Sequence, residues 1–143
     1  MAVLVSGGMG YIGSHTTVEL LNAGYDVVIA DDLSNSKEVV KDRIKEITGK
    51  DVKFYNVNLT DVNETEKVFE ENNIDSVIHF AAFKAVGESV EKPLEYYYNN
   101  LTSALVVLKA IKKYGCRNFV FSSSATVYGE PERIPITEDC KTG

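Results

Sequence analysis

An α/β fold built on a doubly wound parallel sheet is what this sequence predicts, and three observations predict it. Five short apolar runs, at residues 2–5, 26–30, 52–57, 76–80 and 118–122, recur along the 143 residues with longer polar-apolar segments between them. That alternation is what a parallel sheet covered by helices on both faces requires. A glycine-dense turn, Gly7-Gly8-Met9-Gly10-Tyr11-Ile12-Gly13, follows the first run directly. Small or polar residues follow each of the other runs, at the strand ends where an open parallel sheet binds its ligands.

Each element follows from its own residues. Ala2-Val3-Leu4-Val5 is an unbroken apolar run, the pattern of a strand buried on both faces. Tyr11 to Ala23 reads as a helix closed by Gly24, and residues 26–30 as the second strand. Lys37 to Ile47 reads as a helix ending near Gly49, residues 52–57 as a strand, Val62 to Asn72 as a helix and residues 76–80 as the fourth strand. Pro93 to Tyr114 forms a long helix, with Pro93 suited to a first helical position and Gly115 to the end. Leu94, Tyr98, Leu101, Leu105, Leu108 and Ile111 make one apolar stripe on it, with Tyr97, Val107 and Tyr114 off the stripe. More than one apolar face leaves surface for a partner as well as for the sheet. Residues 118–122 supply the fifth strand, and Gly129 to Gly143, with two prolines, mixed charge and no periodicity, reads as loop.

The glycine turn satisfies two registers, Gly8, Gly10, Gly13 and Gly7, Gly10, Gly13. One glycine permits the turn out of the strand, the next lets main chain approach a pyrophosphate, and the last lets the helix pack close to the sheet. The N–H groups around Met9 to Ile12 then face an anion. A helix N-terminus favours one negative charge by only about 0.3–1 kcal/mol, so several N–H hydrogen bonds must act together. The turn therefore predicts a dinucleotide-binding, Rossmann-type domain over residues 1–128, with 129–143 a loop leading to a missing C-terminal part. Sheets of this type have about six strands or more; the five runs here predict a domain truncated after about five, with an edge and a helix face left to be covered.

Composition narrows the function. Fifteen lysines and arginines against 21 acids give a net charge of −6 with no basic run, which argues against a nucleic acid or an anionic membrane surface as partner. The first apolar run has no basic leader and is soon broken by glycines, so neither a signal peptide nor a membrane span is expected, and a cytoplasmic location follows. Cys116 and Cys140 lie far apart with no Cys or His at metal-ligand spacing, so reduced thiols and no metal site are expected. His79, inside Val77-Ile78-His79-Phe80, reads as a hydrogen-bonded strand histidine, and His15 belongs to the first helix; neither is assigned a catalytic role.

The strand ends carry the chemistry. Asp31 lies 18 residues after Gly13, where an acid accepts hydrogen bonds from both hydroxyls of an adenosine ribose. No arginine follows in the loop, and the carboxylate would repel a 2′-phosphate, so NAD is expected over NADP. Asp31 and Asp32 equally suit turns and helix caps. Lys84, just past the fourth strand among small residues, is placed to reach a diphosphate or ribose, or to be solvated. Asn99 and Asn100 in the long helix face either the cofactor or solvent. Ser122-Ser123-Ser124 puts hydroxyls at the nicotinamide end of the crevice, where one can hold a substrate alcohol while another group removes its proton; three turn-forming serines are the plainer reading.

Taken together, GGMGYIGSH, DDLSNS, HFAAFKAVGES and FSSSATVYG resemble the extended short-chain dehydrogenase/reductase family over essentially the whole chain, and the DDLSNS and KAVGES segments in combination are similar to its nucleotide-sugar epimerases. The resemblance implies NAD along the strand ends: Gly7, Gly10, Tyr11, Ile12 and Gly13 at the pyrophosphate, Asp31, Asp32, Leu33, Ser34, Asn35 and Ser36 at the adenosine ribose, and Asn58 with Leu59 beside adenine. Phe80, Ala81, Ala82, Lys84, Asn99 and Ser122 continue the cofactor site. Ser124 is implied as the hydroxyl that aligns the reacting oxygen, with Ala125 and Thr126 beside it at the substrate. Asn58 departs from the aspartate frequent in the family; its amide oxygen is expected to accept from the adenine amino group.

The implied reaction inverts C4 of a UDP-hexose by reversible hydride transfer to bound NAD through a 4-keto sugar, with a tyrosine of a tyrosine-x-x-x-lysine pair as base. The lysine and the cationic nicotinamide bring that phenol down from about 10. None of the eight tyrosines here has lysine four residues on. The pair is expected beyond Gly143, and the 143 residues alone are expected to be inactive. Members of the family often form homodimers through the counterpart of the Pro93 to Tyr114 helix and a following helix that these residues do not include, so the resemblance leaves the oligomeric state open. The same features would serve a nucleotide-sugar dehydratase or decarboxylase, or a non-catalytic NAD-binding module.

Overall fold

A computed structural model describes residues 1–143. Five strands, β1 (Ala2–Ser6), β2 (Asp26–Asp31), β3 (Lys53–Asn56), β4 (Ile74–His79) and β5 (Asn118–Phe121), form one parallel sheet in the order β3-β2-β1-β4-β5. The helices are α1 (Tyr11–Asn22), α2 (Val39–Thr48), α3 (Val62–Glu70), α4 (Val86–Glu91) and α5 (Pro93–Tyr114), and a 3-10 turn spans Ala125–Tyr128.

Strand alternation divides the core into two layers. Leu4, Val28, Ala30 and Val77 point to one face and pack on Val68 and Phe69 of α3 and Val107 and Ala110 of α5. Val3, Val5, Val27 and Ile29 point to the other and meet Leu21 of α1 and Ile44 of α2. Burying each such aliphatic side chain contributes about 1.5–3 kcal/mol, and β1, central in the sheet, is the best buried strand, with Leu4 and Val5 fully enclosed. The chain winds outward from β1 to β3, then crosses back to β4. Where the winding reverses, the loops after β1 and β4 diverge and open a crevice at the carboxyl ends of the strands.

All five predicted strands and four predicted helices are present, with ends shifted by up to two residues. The fourth strand begins at Ile74, two residues earlier than predicted, and a register irregularity between Ala2 and Val3 pairs Ala2 with Ile74 and Val3 with Ser76. Two short elements had no sequence signature: α4 and the 3-10 turn. Residues 129–143 contain no helix or strand. On α5 the core-facing residues are Tyr96, Ser103, Val106, Val107 and Ala110. Most of the apolar stripe read from the sequence faces outward instead: Leu94, Tyr98, Leu101, Leu105 and Leu108 are exposed.

Candidate functional site

The glycines of the turn have different tasks. Gly7 adopts φ +71°, a left-handed conformation, and a Cβ there would lie 2.8 Å from the main-chain nitrogen of Ala81. Gly13 is pressed against the turn, since a Cβ would stand 2.2 Å from the Gly7 carbonyl oxygen. Gly8 is closed in by Ile29, whose side chain would be 2.8 Å from a Cβ. Gly10 differs: a Cβ on it would meet only the Gly7 carbonyl oxygen, at 3.3 Å, and it caps α1 with no side-chain hydrogen bond and no acid in the first turn. The amides of Tyr11, Ile12 and Gly13 have no carbonyl one turn back to bond. The open side of Gly10 and these donors make a cradle that an anionic group fits.

Asp31, at the end of β2 and 9% exposed, is tied to that turn. Its Oδ2 accepts from the Met9 N–H at 3.0 Å, and its Oδ1 accepts from the Leu33 N–H at 2.9 Å and the Ser36 hydroxyl at 2.8 Å. A carboxylate offers about four acceptor sites, so most are filled from within the protein and Oδ2 is the freer oxygen. The sequence-level expectation of two ribose hydroxyls on an otherwise free carboxylate is narrowed accordingly. Leu33 pays for the tight loop with φ +59°, an uncommon conformation for a residue with a Cβ. Asp32 serves the turn itself: its Oδ1 accepts from the Ser34 N–H at 2.9 Å.

The structure changes the chemistry expected of Asn58. Its Oδ1 already accepts from both the N–H and the hydroxyl of Thr60, at 2.9 and 2.8 Å. What it can offer a ligand is the amide NH2, a donor, so it suits a ring nitrogen and not an exocyclic amine.

Two depressions lie along the strand ends. The first is lined by Gly7, Gly10, Tyr11, Asp31, Asp32, Ser34, Asn35, Ser36, Val57, Asn58, Leu59, Phe80, Ala81, Ala82, Phe83, Asn99 and Ser103. The second takes in Lys84, Tyr96, Ser122, Ser123, Ser124, Thr126 and His79. Phe80 to Phe83 line both and join them. Most of the sequence-predicted residues are thus brought to one continuous rim. Ile12, Gly13, Leu33 and Ala125 line neither depression: Gly13 and Leu33 shape the turns, Ile12 follows the cradle on α1, and Ala125 begins the 3-10 turn. Val57, Phe83 and Ser103 are lining residues that sequence reasoning did not single out, because each looks like ordinary core or loop without its neighbours.

Ser124 caps the 3-10 turn. Its oxygen accepts from the Thr126 N–H at 3.3 Å and the Thr126 hydroxyl at 2.9 Å, so its own proton remains to be donated. Asn100 holds the loop that joins the depressions: its Oδ1 accepts from the Phe83 N–H at 2.8 Å and its Nδ2 donates to the Phe83 carbonyl at 3.0 Å. His79 is the hydrogen-bonded strand histidine expected, with Nδ1 2.7 Å from Ser6 Oγ and its ring stacked 5.7 Å from that of Phe121. Burial lowers its pKa to about 4, so the imidazole is neutral near pH 7, and its buried Nε2 has no partner.

The comparisons agree with this geometry. UDP-glucose 4-epimerase of Pasteurella multocida (strain Pm70) is 62% identical over all 143 residues, and that of Bacillus subtilis (strain 168) is 59% identical over the same span. The chain covers 42% of the length of each. The crystal structure of UDP-glucose 4-epimerase from Bifidobacterium longum in complex with NAD+ and UDP superposes on the whole chain with a TM-score of 0.96 at 57% identity, and 43% of that chain is covered. Residues 3–143 match the family described as NAD dependent epimerase/dehydratase. With a match over nearly its full length and a crevice built as that sequence pattern requires, the chain belongs to the NAD dependent epimerase/dehydratase family.

Proposed function

We propose that these residues are the NAD-binding portion of a UDP-glucose 4-epimerase, interconverting UDP-glucose and UDP-galactose. The observation that carries this reading is the single rim on which the Gly10 cradle, the Asp31 loop and Ser124 meet. The epimerases of known sequence that share about 60% of its residues support it. In this reading the amides at the start of α1 hold the dinucleotide's diphosphate, and Asp31, buttressed by Met9, Leu33 and Ser36, accepts from the adenosine ribose. Asn58 donates to the adenine ring, and Asn99 lines the same depression. Lys84 offers its ammonium to the ribose or diphosphate and Ser122 continues the cofactor side, while Ser124 and Thr126, with Ala125 between them, form the substrate side. When bound, the nicotinamide supplies a reversible hydride acceptor. Ser124 donates its free proton to the sugar oxygen at C4 and fixes that oxygen's orientation. The exposed stripe Leu94, Tyr98, Leu101, Leu105 and Leu108 is offered as the contact for a second copy, and the free thiols Cys116 and Cys140 suit a cytoplasmic setting.

The test is turnover of UDP-galactose by the native gene product without added cofactor. Ser124→Ala is expected to lower kcat by about 10- to 100-fold, the worth of one hydrogen bond to an oxygen that gains charge, about 1.5–3 kcal/mol. Wild-type kcat in that variant contradicts the assignment of Ser124.

A further inference from the structure

Six residues make α4, none of them is buried, and Val86 and Val90 are each 78% exposed. A helix so short does not hold by itself, and this one has little apolar contact to hold it. Its polar tie is Glu88. The Oε2 of Glu88 accepts from the Tyr96 hydroxyl at 2.8 Å, and its Oε1 lies 3.2 Å from the Lys92 ammonium. Both groups of the Lys92 pair are about half exposed, so solvent screens it. The phenol, by contrast, belongs to a residue only 8% exposed. Tyr96 is the core-facing residue of the first turn of α5, and its ring lies 5.4 Å from that of Phe83, tilted by 59°. Burial and Glu88 both raise the phenol's pKa, and the phenol's hydrogen bond is the leading cause that lowers the carboxyl's, as a neutral phenol donating to a carboxylate requires.

Phe83 is fixed by the two main-chain hydrogen bonds from Asn100. Lys84 and Ala85 follow without regular structure until α4 begins at Val86. Lys84 is therefore slung between two attachments, the Asn100 clamp before it and the Glu88–Tyr96 pin after it. Only the second fixes the direction in which the chain leaves Lys84.

We propose that Glu88 is a positioning residue for Lys84, acting through Tyr96 to hold the Lys84 side chain over the second depression. This deepens the functional reading above and rests on it, because the task of Lys84 is defined there. Kinetics of the native gene product with UDP-galactose test it, comparing Glu88→Ala, Glu88→Gln, Tyr96→Phe, Lys84→Ala and the double variant Glu88→Ala/Lys84→Ala, with the thermal midpoint of each. Lys84→Ala is expected to lower kcat/KM by about 10-fold or more, and Glu88→Ala and Tyr96→Phe alike by about 3- to 10-fold. Midpoints should stay within about 2 °C of wild type. Glu88→Gln, which keeps an acceptor for the phenol, should recover most of the loss, and the double variant should be no worse than Lys84→Ala alone. Tyr96→Phe, one oxygen smaller, carries the test even if Glu88→Ala fails to fold. A full, additive Glu88→Ala loss on the Lys84→Ala background overturns the proposal while leaving the functional reading intact. So do wild-type kinetics in Tyr96→Phe. Wild-type kinetics in Lys84→Ala overturn both this proposal and the role given to Lys84.

Discussion

Gly10 and Gly13 lie three residues apart and lack a Cβ for opposite reasons. At Gly13 the space is taken by the protein, with the Gly7 carbonyl 2.2 Å from where a Cβ would stand; at Gly10 that same carbonyl is the only protein atom near, at 3.3 Å. Gly13→Ala is therefore a stability variant, expected to cost about 1–3 kcal/mol in chemical denaturation through the main-chain shift it forces. Asp31→Asn is a specificity variant. It keeps an acceptor toward Ser36 but removes the charge that opposes a 2′-phosphate, so the NAD to NADP affinity ratio should fall about 10-fold or more; an unmoved ratio would remove Asp31 from the ribose site. His79 ties stability to pH. The unfolded imidazole titrates near 6.5 and the folded one at about 4, so the unfolded chain binds more protons between those values. Stability is complete above pH 6.5 and declines as the pH falls toward 4, by about 3 kcal/mol in all. His79→Phe should flatten that decline between pH 7 and 4.5, and equal slopes in the two proteins would show that another group carries it. The places of Asp31 and of the turn glycines at the strand ends were legible in sequence because their spacing from those ends is fixed. The occupancy of Asn58 Oδ1 was not, because it depends on where Thr60 folds back.

Among the elements, those with an internal signal were readable. The long helix α5 opens on Pro93 and closes on Gly115 at φ +71°, as its residues predict. Its two apolar faces were visible too, but which one meets the sheet depends on crossing geometry, and the core took the face with Ser103, Val107 and Ala110. Helix α4 was illegible because no side chain of Val86–Glu91 is buried; nothing periodic marks it, and it is held from outside by the Tyr96 hydroxyl on Glu88. Helix α3 carries a sequence-encoded cap: Asp61 accepts from the N–H groups of Asn63 and Glu64 at 2.8 and 2.9 Å. The side chain of Glu64 in turn accepts from the Asn58 N–H at 2.6 Å, so the start of α3 fixes the backbone at Asn58. Asp61→Ala is expected to lower unfolding free energy by about 1 kcal/mol. It should also weaken NAD binding a few-fold by loosening Asn58, and unchanged NAD affinity would uncouple the cap from the site.

At the scale of the molecule, the parallel order β3-β2-β1-β4-β5 puts the turns after β1, β2, β4 and β5 on one rim, and function rests on that placement more than on any one side chain. The alternation of apolar runs and amphipathic segments made the fold class readable, since each run is long enough only for a buried strand. The convergence of distant loops into two joined depressions is a property of strand order, which no local pattern encodes. The central claim is that the open side of Gly10 holds the dinucleotide's diphosphate. Calorimetric titration of NAD into cofactor-free native gene product and into its Gly10→Val variant tests it most directly, because a Cβ at this position meets only the Gly7 carbonyl within the protein. The account predicts an intact fold by circular dichroism with NAD binding lost; a Gly10→Val protein that binds NAD with wild-type affinity would contradict it.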